Sequence, residues 1–119
     1  SIDFPMIRLA EMYLIYAEAQ ARLDGGITTD SKALGYVKAL RDRAGVSMPS
    51  SIDLDFILKE RARELMLEGH RRTDLIRWGA YVTEDWWDHK ATNDTKYNRY
   101  PLHYSSISAN PLLEQNPGY

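Results

Sequence analysis

The stretch PMIRLAEMYLIYAEAQARLDGG, residues 5–26, predicts a long helix near the start of the chain. Pro5 suits a first helical position, where a missing N–H costs nothing, and the Ala, Leu, Met and Glu content favours helix until Gly25-Gly26 ends it. Its few polar side chains share one narrow stripe: Arg8, Glu11, Glu18 and Arg22. Most of the circumference is apolar, so this helix needs packing partners on at least two sides.

A second helix is expected after a short turn, capped by Asp30 or Ser31 and followed by Gly45. Its apolar stripe comprises Ala33, Val37, Leu40 and Ala44. Residues 1–45 are therefore predicted to form an antiparallel helix hairpin, with a spacing that suits a tetratricopeptide (TPR)-like unit. One such unit cannot bury its own faces and no second copy of the pattern follows, so we expect the neighbouring helices upstream of Ser1.

Residues 46–79 are predicted to hold a helix pair. Ser51 or Asp53 can cap a helix from about Leu54 to Glu68, and a short helical turn from about Arg71 to Trp78 follows. The expected inner face of the longer helix comprises Leu54, Ile57, Leu58, Ala62, Leu65 and Met66.

Residues 80–119 lack periodicity and are predicted to form a long irregular segment, with one short helical turn near residues 105–109. Seven of the 13 aromatic residues lie between positions 78 and 104. An irregular segment of this length is usually disordered or packed on a larger body, and the aromatic content favours packing. The fold class predicted from these patterns is all-α.

Length and composition limit the function classes. A chain of 119 residues fits one domain or part of one, and a net charge of −2 gives no reason to expect a nucleic-acid partner. The chain starts at Ser1 without Met and enters a helix pattern within a few residues, so we expect a piece of a longer protein. It contains no Cys, which excludes disulfides and thiolate sites within it.

Charges of both signs interleave between residues 59 and 77. Oppositely charged residues stand three apart in four pairs, which favours a salt-bridge lattice over a basic nucleic-acid surface: Glu60–Arg63, Arg61–Glu64, Arg71–Asp74 and Asp74–Arg77. Glu60, Glu64 and Glu68 also form a column at four-residue spacing. A solvated or arginine-paired face explains this column better than a metal site or an acid–base pair.

No catalytic or metal site is predicted. His70, His89 and His103 share no ligand spacing, and the sequence has neither a Gly-x-Ser-x-Gly nucleophile elbow nor a phosphate-binding loop. No cofactor is expected either.

The adjacent pair Trp86-Trp87 has two open interpretations. The rings can attach the irregular segment to helices, or they can form a ligand platform or subunit contact, because aromatic surfaces stack on sugars and bases. Packing is the simpler explanation, and Trp86 and Trp87 are the candidate ligand-binding residues.

Three segments together resemble the SusD/RagB family of outer-membrane lipoproteins. Residues 6–19, MIRLAEMYLIYAEA, are similar to the family's IRLAE-x-YL-x-YAEA helix, and residues 60–79, ERARELMLEGHRRTDLIRWG, are similar to its ER-x-REL-x-x-EG-x-R-x-x-DL-x-RWG signature. The third segment runs from Tyr100-Pro101-Leu102 to QNPGY, residues 115–119. The second signature carries the structural-motif residues Glu60, Arg61, Arg63, Glu64, Glu68, Arg71, Asp74, Arg77 and Trp78.

The resemblance implies the carboxyl-terminal part of a longer, mainly helical protein that binds oligosaccharides without catalysis. It further implies a cell-surface location at the outer membrane, a SusC-like TonB-dependent transporter as partner, and a lipid anchor that lies outside this chain. This segment is expected to serve mainly as scaffold. Thr73 and His103-Tyr104 depart from the family pattern, which leaves local packing there open.

Two alternatives stay open beside glycan uptake. A TPR-type module that binds a protein partner would account for the helix hairpin. An enzyme acting on glycans would rest on the acidic residues alone.

Overall fold

The computed structural model describes residues 6–86 and 88–119, and it is mostly helical, as predicted. The chain divides into two compact units, residues 1–71 and 72–119. In chain order the elements are α1 (Leu9–Leu23), β1 (Ile27–Thr28), α2 (Ser31–Arg43), β2 (Ile52–Asp53), α3 (Leu54–Glu64), α4 (Arg71–Arg77), a 3₁₀ helix (Thr95–Asn98) and α5 (Tyr104–Ala109). The two short strands and the 3₁₀ helix were not predicted.

Helix α1 is the centre of the first unit, where it packs against both α2 and α3. Leu14 and the small residues Ala17 and Ala21 are fully buried, so the neighbouring helices approach closely. The helix begins at Leu9, later in the chain than the predicted first helical position at Pro5, because Arg8 has extended backbone angles (φ −134°, ψ 156°). The predicted Pro5 position lies outside the described residues.

Aromatic side chains join α1 to α2. The rings of Tyr13 and Tyr36 stack at 4.4 Å between centroids, and Tyr16 meets Tyr36 edge-on at 5.2 Å. On α2, Asp30 is the observed cap, and its Oδ1 accepts from the N–H of Ala33 at 2.8 Å. The predicted stripe of α2 is buried at Ala33, Val37 and Leu40, whereas Ala44 is exposed because the helix has already ended at Arg43.

The strands β1 and β2 form an antiparallel pair in which Ile27 faces Asp53 and Thr28 faces Ile52. Thr28 and Ile52 are buried. The N–H of Leu54 donates to the carbonyl of Gly26 at 3.1 Å, so the turn after α1 is tied to the start of α3. Asp53 also caps α3, with its Oδ1 accepting from the Phe56 N–H at 2.7 Å.

Helix α3 ends at Glu64, four residues before the predicted end at Glu68. Leu65 leaves the helical region, and Leu67 takes a positive φ of 65°, a left-handed conformation that breaks the helix. Met66, predicted on the inner face, is 69% exposed because the helix has stopped before it. Leu65 is buried as predicted.

The second unit is built around α4, whose Leu75 is buried together with Ala80 and Val82. The predicted short turns correspond to α4 and α5. In the rest of the unit, backbone hydrogen bonds of turns and side-chain hydrogen bonds to the backbone take the place of long helices.

Candidate functional site

An arginine–carboxylate cluster in the first unit contains Glu60, Glu64 and Glu68 of the predicted salt-bridge lattice. Arg8, which precedes α1, reaches residues more than 50 positions away: its Nε lies 2.8 Å from Glu68 Oε2 and its Nη1 lies 3.0 Å from Glu64 Oε1. Its Nη2 also donates to the main-chain carbonyl of Glu64 at 2.6 Å. Because that carbonyl belongs to the last turn of α3, Arg8 caps the helix with positive charge.

The remaining carboxylates of the cluster are paired with arginines of α2 and α3. Glu60 Oε2 accepts from Arg41 Nη1 at 2.7 Å and from Arg63 Nη2 at 2.5 Å. Glu64 also meets Arg43 at 2.6 Å. Sequence reasoning identified the Glu60–Arg63 pair but not Arg8, Arg41 or Arg43, because tertiary packing supplies these partners from other helices.

Hydrogen bonding shifts the pKa values at the Arg8 end of this cluster. The Arg8 hydrogen bond is the main cause that lowers the pKa of Glu68 below its usual range, and the reciprocal bond raises the pKa of Arg8. Both groups are therefore held in their charged forms.

Glu60 and Glu64 also line a concavity of about 400 Å³ at the ends of α2 and α3. Arg41, Arg63 and the ring of Phe56 share its walls, and the Arg41 guanidinium lies 5.2 Å from the centroid of that ring. Each carboxylate in this concavity is already bound by arginine.

The other motif residues occupy both units. Arg61 is buried in α3, and Arg71 Nη1 donates to the Leu58 carbonyl at 3.3 Å in the first unit. In the second unit the buried Asp74 accepts from Arg77 Nη2 at 2.9 Å, and the Arg77 guanidinium lies 4.8 Å from the Trp78 ring centroid. The predicted pairs Arg61–Glu64 and Arg71–Asp74 stay predictions.

A cavity of about 390 Å³ in the second unit contains the predicted ligand-binding residue Trp86. Its volume falls in the range of small-molecule sites, about 300–1,000 Å³. Its walls combine apolar and aromatic residues with three polar ones: Leu75, Tyr81, Val82, Trp86, Asp88, His89, Thr92 and Tyr97. Trp87 lies outside the described residues.

The loop that carries Trp86 is fixed by its own hydrogen bonds. Trp86 and His89 form a backbone bridge, in which the Trp86 N–H donates to the His89 carbonyl at 2.8 Å. Asp85 accepts from Lys90 Nζ at 2.6 Å and from the Ala91 N–H at 2.9 Å. The bond from Lys90 is the main cause that lowers the pKa of Asp85. The loop is therefore preorganised.

Arg72, on α4, supports two walls of the cavity, and sequence reasoning did not single it out. Its guanidinium carbon lies 5.0 Å from the ring centroid of Tyr81 and 4.1 Å from that of Tyr100. Its Nη2 also donates to the Tyr97 carbonyl at 2.8 Å. The signal available in the sequence was an arginine beside an aromatic-rich segment, a combination that permits cation–π contacts without identifying the partners.

The last residues of the chain fasten the segment that contains Tyr97. The Gln115 side-chain amide pairs with both backbone groups of Leu102, at 2.8 and 3.0 Å, and Asn116 Nδ2 donates to the Tyr100 carbonyl at 2.7 Å. The Tyr119 hydroxyl lies 3.0 Å from the Arg99 carbonyl. The QNPGY motif thus holds the backbone of residues 99–102 through side-chain hydrogen bonds, in the way that a neighbouring strand would hold it through backbone bonds.

Residues 6–86 and 88–119 contain no group of three or more His, Asp or Glu side chains that could hold a metal ion. Within the same residues, none of the helices has the length and apolar character needed to cross a bilayer.

Comparison with known proteins agrees with the segments described. The profile of the SusD family matches residues 1–119. The starch-binding protein SusD of Bacteroides thetaiotaomicron is 40% identical over 98% of this chain, which covers 22% of that protein. SusD-like protein P25 of Formosa agariphila is 30% identical over 96% of this chain and 24% of its own length, and a SusD-like protein of Bacteroides ovatus is 34% identical over 66% of the chain and 14% of its own length. The chain spans less than a quarter of the length of these relatives. It belongs to the SusD family.

Proposed function

We propose that this chain is part of a glycan-binding protein that takes part in nutrient uptake at the bacterial outer membrane without catalysing a reaction. The observation that carries the proposal is the match to the SusD family over residues 1–119, together with 40% identity to a protein named as starch-binding. The ligand is an oligosaccharide.

The first unit acts mainly as scaffold. The carboxylates of Glu60, Glu64 and Glu68 are only 8%, 10% and 18% exposed, and arginines from three different segments bind them. Charge-assisted bonds of this kind specify the positions of α1, α2 and α3 relative to one another. They leave these carboxylates poorly placed to move protons for a glycosidase reaction, which supports a non-catalytic role.

Helices α1 and α2 form a TPR-like hairpin that packs against further helices of the complete protein. The support for this arrangement is the outer side of α1, which exposes large apolar side chains: Leu9, Met12, Ile15 and Leu23. A helix with apolar surface on opposite sides is expected to be covered on both.

The partner is a SusC-like TonB-dependent transporter, and the membrane attachment is a lipid anchor outside this chain. Both statements rest on family membership. They place the complete protein at the cell surface.

The test uses the complete protein and a panel of neutral polysaccharides in affinity electrophoresis and calorimetry. We expect binding without release of reducing sugars, surface exposure on intact cells, and co-purification with a TonB-dependent barrel. Variant Arg8→Ala should lower the melting temperature and leave glycan affinity unchanged. Failure to bind any glycan, with peptide binding on α1 instead, would favour the TPR-type protein-interaction module.

A further inference from the structure

We propose that the cavity beside Trp86 binds a single uncharged sugar unit, an inference that rests on the glycan-binding function proposed above. The site lies wholly in the second unit, so this proposal gives a ligand contact to that unit while the first unit acts as scaffold.

The walls of the cavity match the two kinds of surface that a sugar ring presents. Tyr81, Trp86 and Tyr97 offer aromatic surface to the apolar C–H groups of a pyranose. Asp88 and Thr92 offer a carboxylate and a hydroxyl to its hydroxyl groups. Mostly apolar walls with a few polar groups are typical of small-molecule sites.

The polar groups of the wall are available to a ligand. Among residues 6–86 and 88–119, no hydrogen bond or ion pair engages the Asp88 carboxylate or the Thr92 hydroxyl, whereas the neighbouring Asp85 is occupied by Lys90 and the Ala91 N–H. The protein therefore uses one acidic residue of this loop to hold the loop and leaves the next one facing the cavity.

Charges around the cavity favour an uncharged ligand. Aromatic walls beside a carboxylate can also bind an ammonium group, but two of these rings already carry cations of the protein. Arg72 lies 5.0 Å from the Tyr81 centroid, and Lys96 Nζ lies 5.0 Å from the Tyr97 centroid. These cations oppose a second cation on the same rings, and the Asp88 carboxylate opposes an anion beside it, so the mixed signs around the cavity favour neither a cationic nor an anionic ligand.

The site is preorganised. The bridge between Trp86 and His89 and the bonds to Asp85 hold one side of the loop, and the N–H of Asn93 donates to the Val82 carbonyl at 2.9 Å to close the other. Because these groups are already ordered, binding orders little additional chain, and even a single sugar unit can bind measurably.

The test measures binding to the complete protein by saturation-transfer NMR and tryptophan fluorescence. The probes are the methyl glycosides of glucose, galactose, mannose and xylose, with glucosamine and glucuronate as charged counterparts. Variants Trp86→Phe and Asp88→Asn probe the two kinds of wall. Tyr104→Ala is the matched control, because this aromatic residue is 81% exposed and outside the cavity. Melting temperatures verify folding.

We expect at least one neutral glycoside to bind and both charged sugars to bind more weakly. Asp88→Asn should weaken that binding by about tenfold and Trp86→Phe by a smaller factor, while Tyr104→Ala leaves it unchanged. The site is overturned if no neutral glycoside binds, if glucosamine binds more tightly, or if both cavity variants bind like wild type. If one of these results is found while long glycans still bind with undiminished affinity, the proposed glycan-binding function stands and only the Trp86 site is rejected. If the wild-type protein does not bind long glycans, both proposals are overturned.

Discussion

The guanidinium of Arg8 shows how one side chain can end one helix and position another. Arg8 is the extended residue before α1, and it binds the carbonyl of Glu64 and the carboxylates of Glu64 and Glu68. The carboxylates are mostly buried, so removing their partner leaves negative charge at low exposure.

The first prediction concerns Arg8→Ala. We expect this change to lower the free energy of unfolding of the protein by about 2–3 kcal/mol, since Glu68 loses its arginine and the end of α3 loses its cap. Urea denaturation measures the effect. Lys38→Ala is the control, because its ion pair with Asp42 is exposed on both sides and should contribute less than about 0.5 kcal/mol. Equal losses for the two variants would contradict the prediction.

The second prediction concerns acid. Because the pKa of Glu68 is lower in the folded protein than its usual value of 4.5, its contribution to stability is complete above pH 4.5 and is lost as the pH falls through the folded-state pKa. Glu68→Gln should therefore flatten the loss of stability below pH 4.5, measured by urea denaturation across pH 3–7. In an Arg8→Ala background the same substitution should have little effect, and a full effect there would disprove the assignment.

At the scale of elements, side-chain hydrogen bonds to the backbone hold the carboxyl-terminal segment where strand pairing is absent among the described residues. Gln115, Asn116 and Tyr119 make these bonds, and we call the three residues the terminal clamp. Gly118 has a positive φ of 93°, and a Cβ placed there would lie 3.0 Å from the Cβ of Lys96. That contact is tighter than most contacts of a Cβ atom, so Lys96 would have to shift by a few tenths of an ångström, and the positive φ strains any residue with a Cβ there.

The third prediction is that Gly118→Ala loosens this clamp at a cost of about 1–2 kcal/mol, combining backbone strain with the clash. Hydrogen exchange at the amides of residues 96–100 and 102 should accelerate. Gly35→Ala provides the control, since nothing lies within 4 Å of its added Cβ and α2 should gain about 0.5–1 kcal/mol from better helix propensity. Unchanged exchange in Gly118→Ala would contradict the clamp.

The elements also show which features a sequence determines by itself. Helices α1, α2 and α4 follow from local composition, caps and glycines, and Trp86 stands out because an adjacent pair of tryptophans in a polar loop is costly. The end of α3 cannot be predicted from local sequence, because Arg8 binds the carbonyl of its last residue from 56 positions away. Other residues of the cavity wall could not be predicted either. Tyr97, for example, is positioned by Arg72 and by the terminal clamp, which are contacts between residues far apart in the sequence.

At the scale of the whole molecule, the exposed apolar side of α1 is the main surface feature of the first unit. Leu9 and Leu23 are 64% and 81% exposed and lie on the same side as Met12. In the complete protein we propose that helices cover this side. In isolation it is open to other copies of the chain.

The fourth prediction follows for the 119-residue chain on its own. We expect concentration-dependent self-association in sedimentation velocity, and the double variant Leu9→Lys, Leu23→Lys should reduce it by placing charge on the apolar side of α1. Leu112→Lys is the control, since Leu112 is 90% exposed but belongs to the second unit. Self-association that Leu112→Lys alone abolishes would assign the contact to the other unit.

The antiparallel pairing of β1 with β2 has a practical consequence. It fixes both ends of the stretch from Thr29 to Ser51, while Pro49 and Ser50 are exposed. Because doubling the length of a closed loop costs only about 0.6 kcal/mol, a short epitope or dye-accepting peptide inserted between these two residues should leave the helices around it undisturbed. The exposed turn at Pro49 and Ser50 therefore offers an attachment point for a label, two residues after the Ser47 carbonyl that accepts from Arg41 Nε at 2.7 Å.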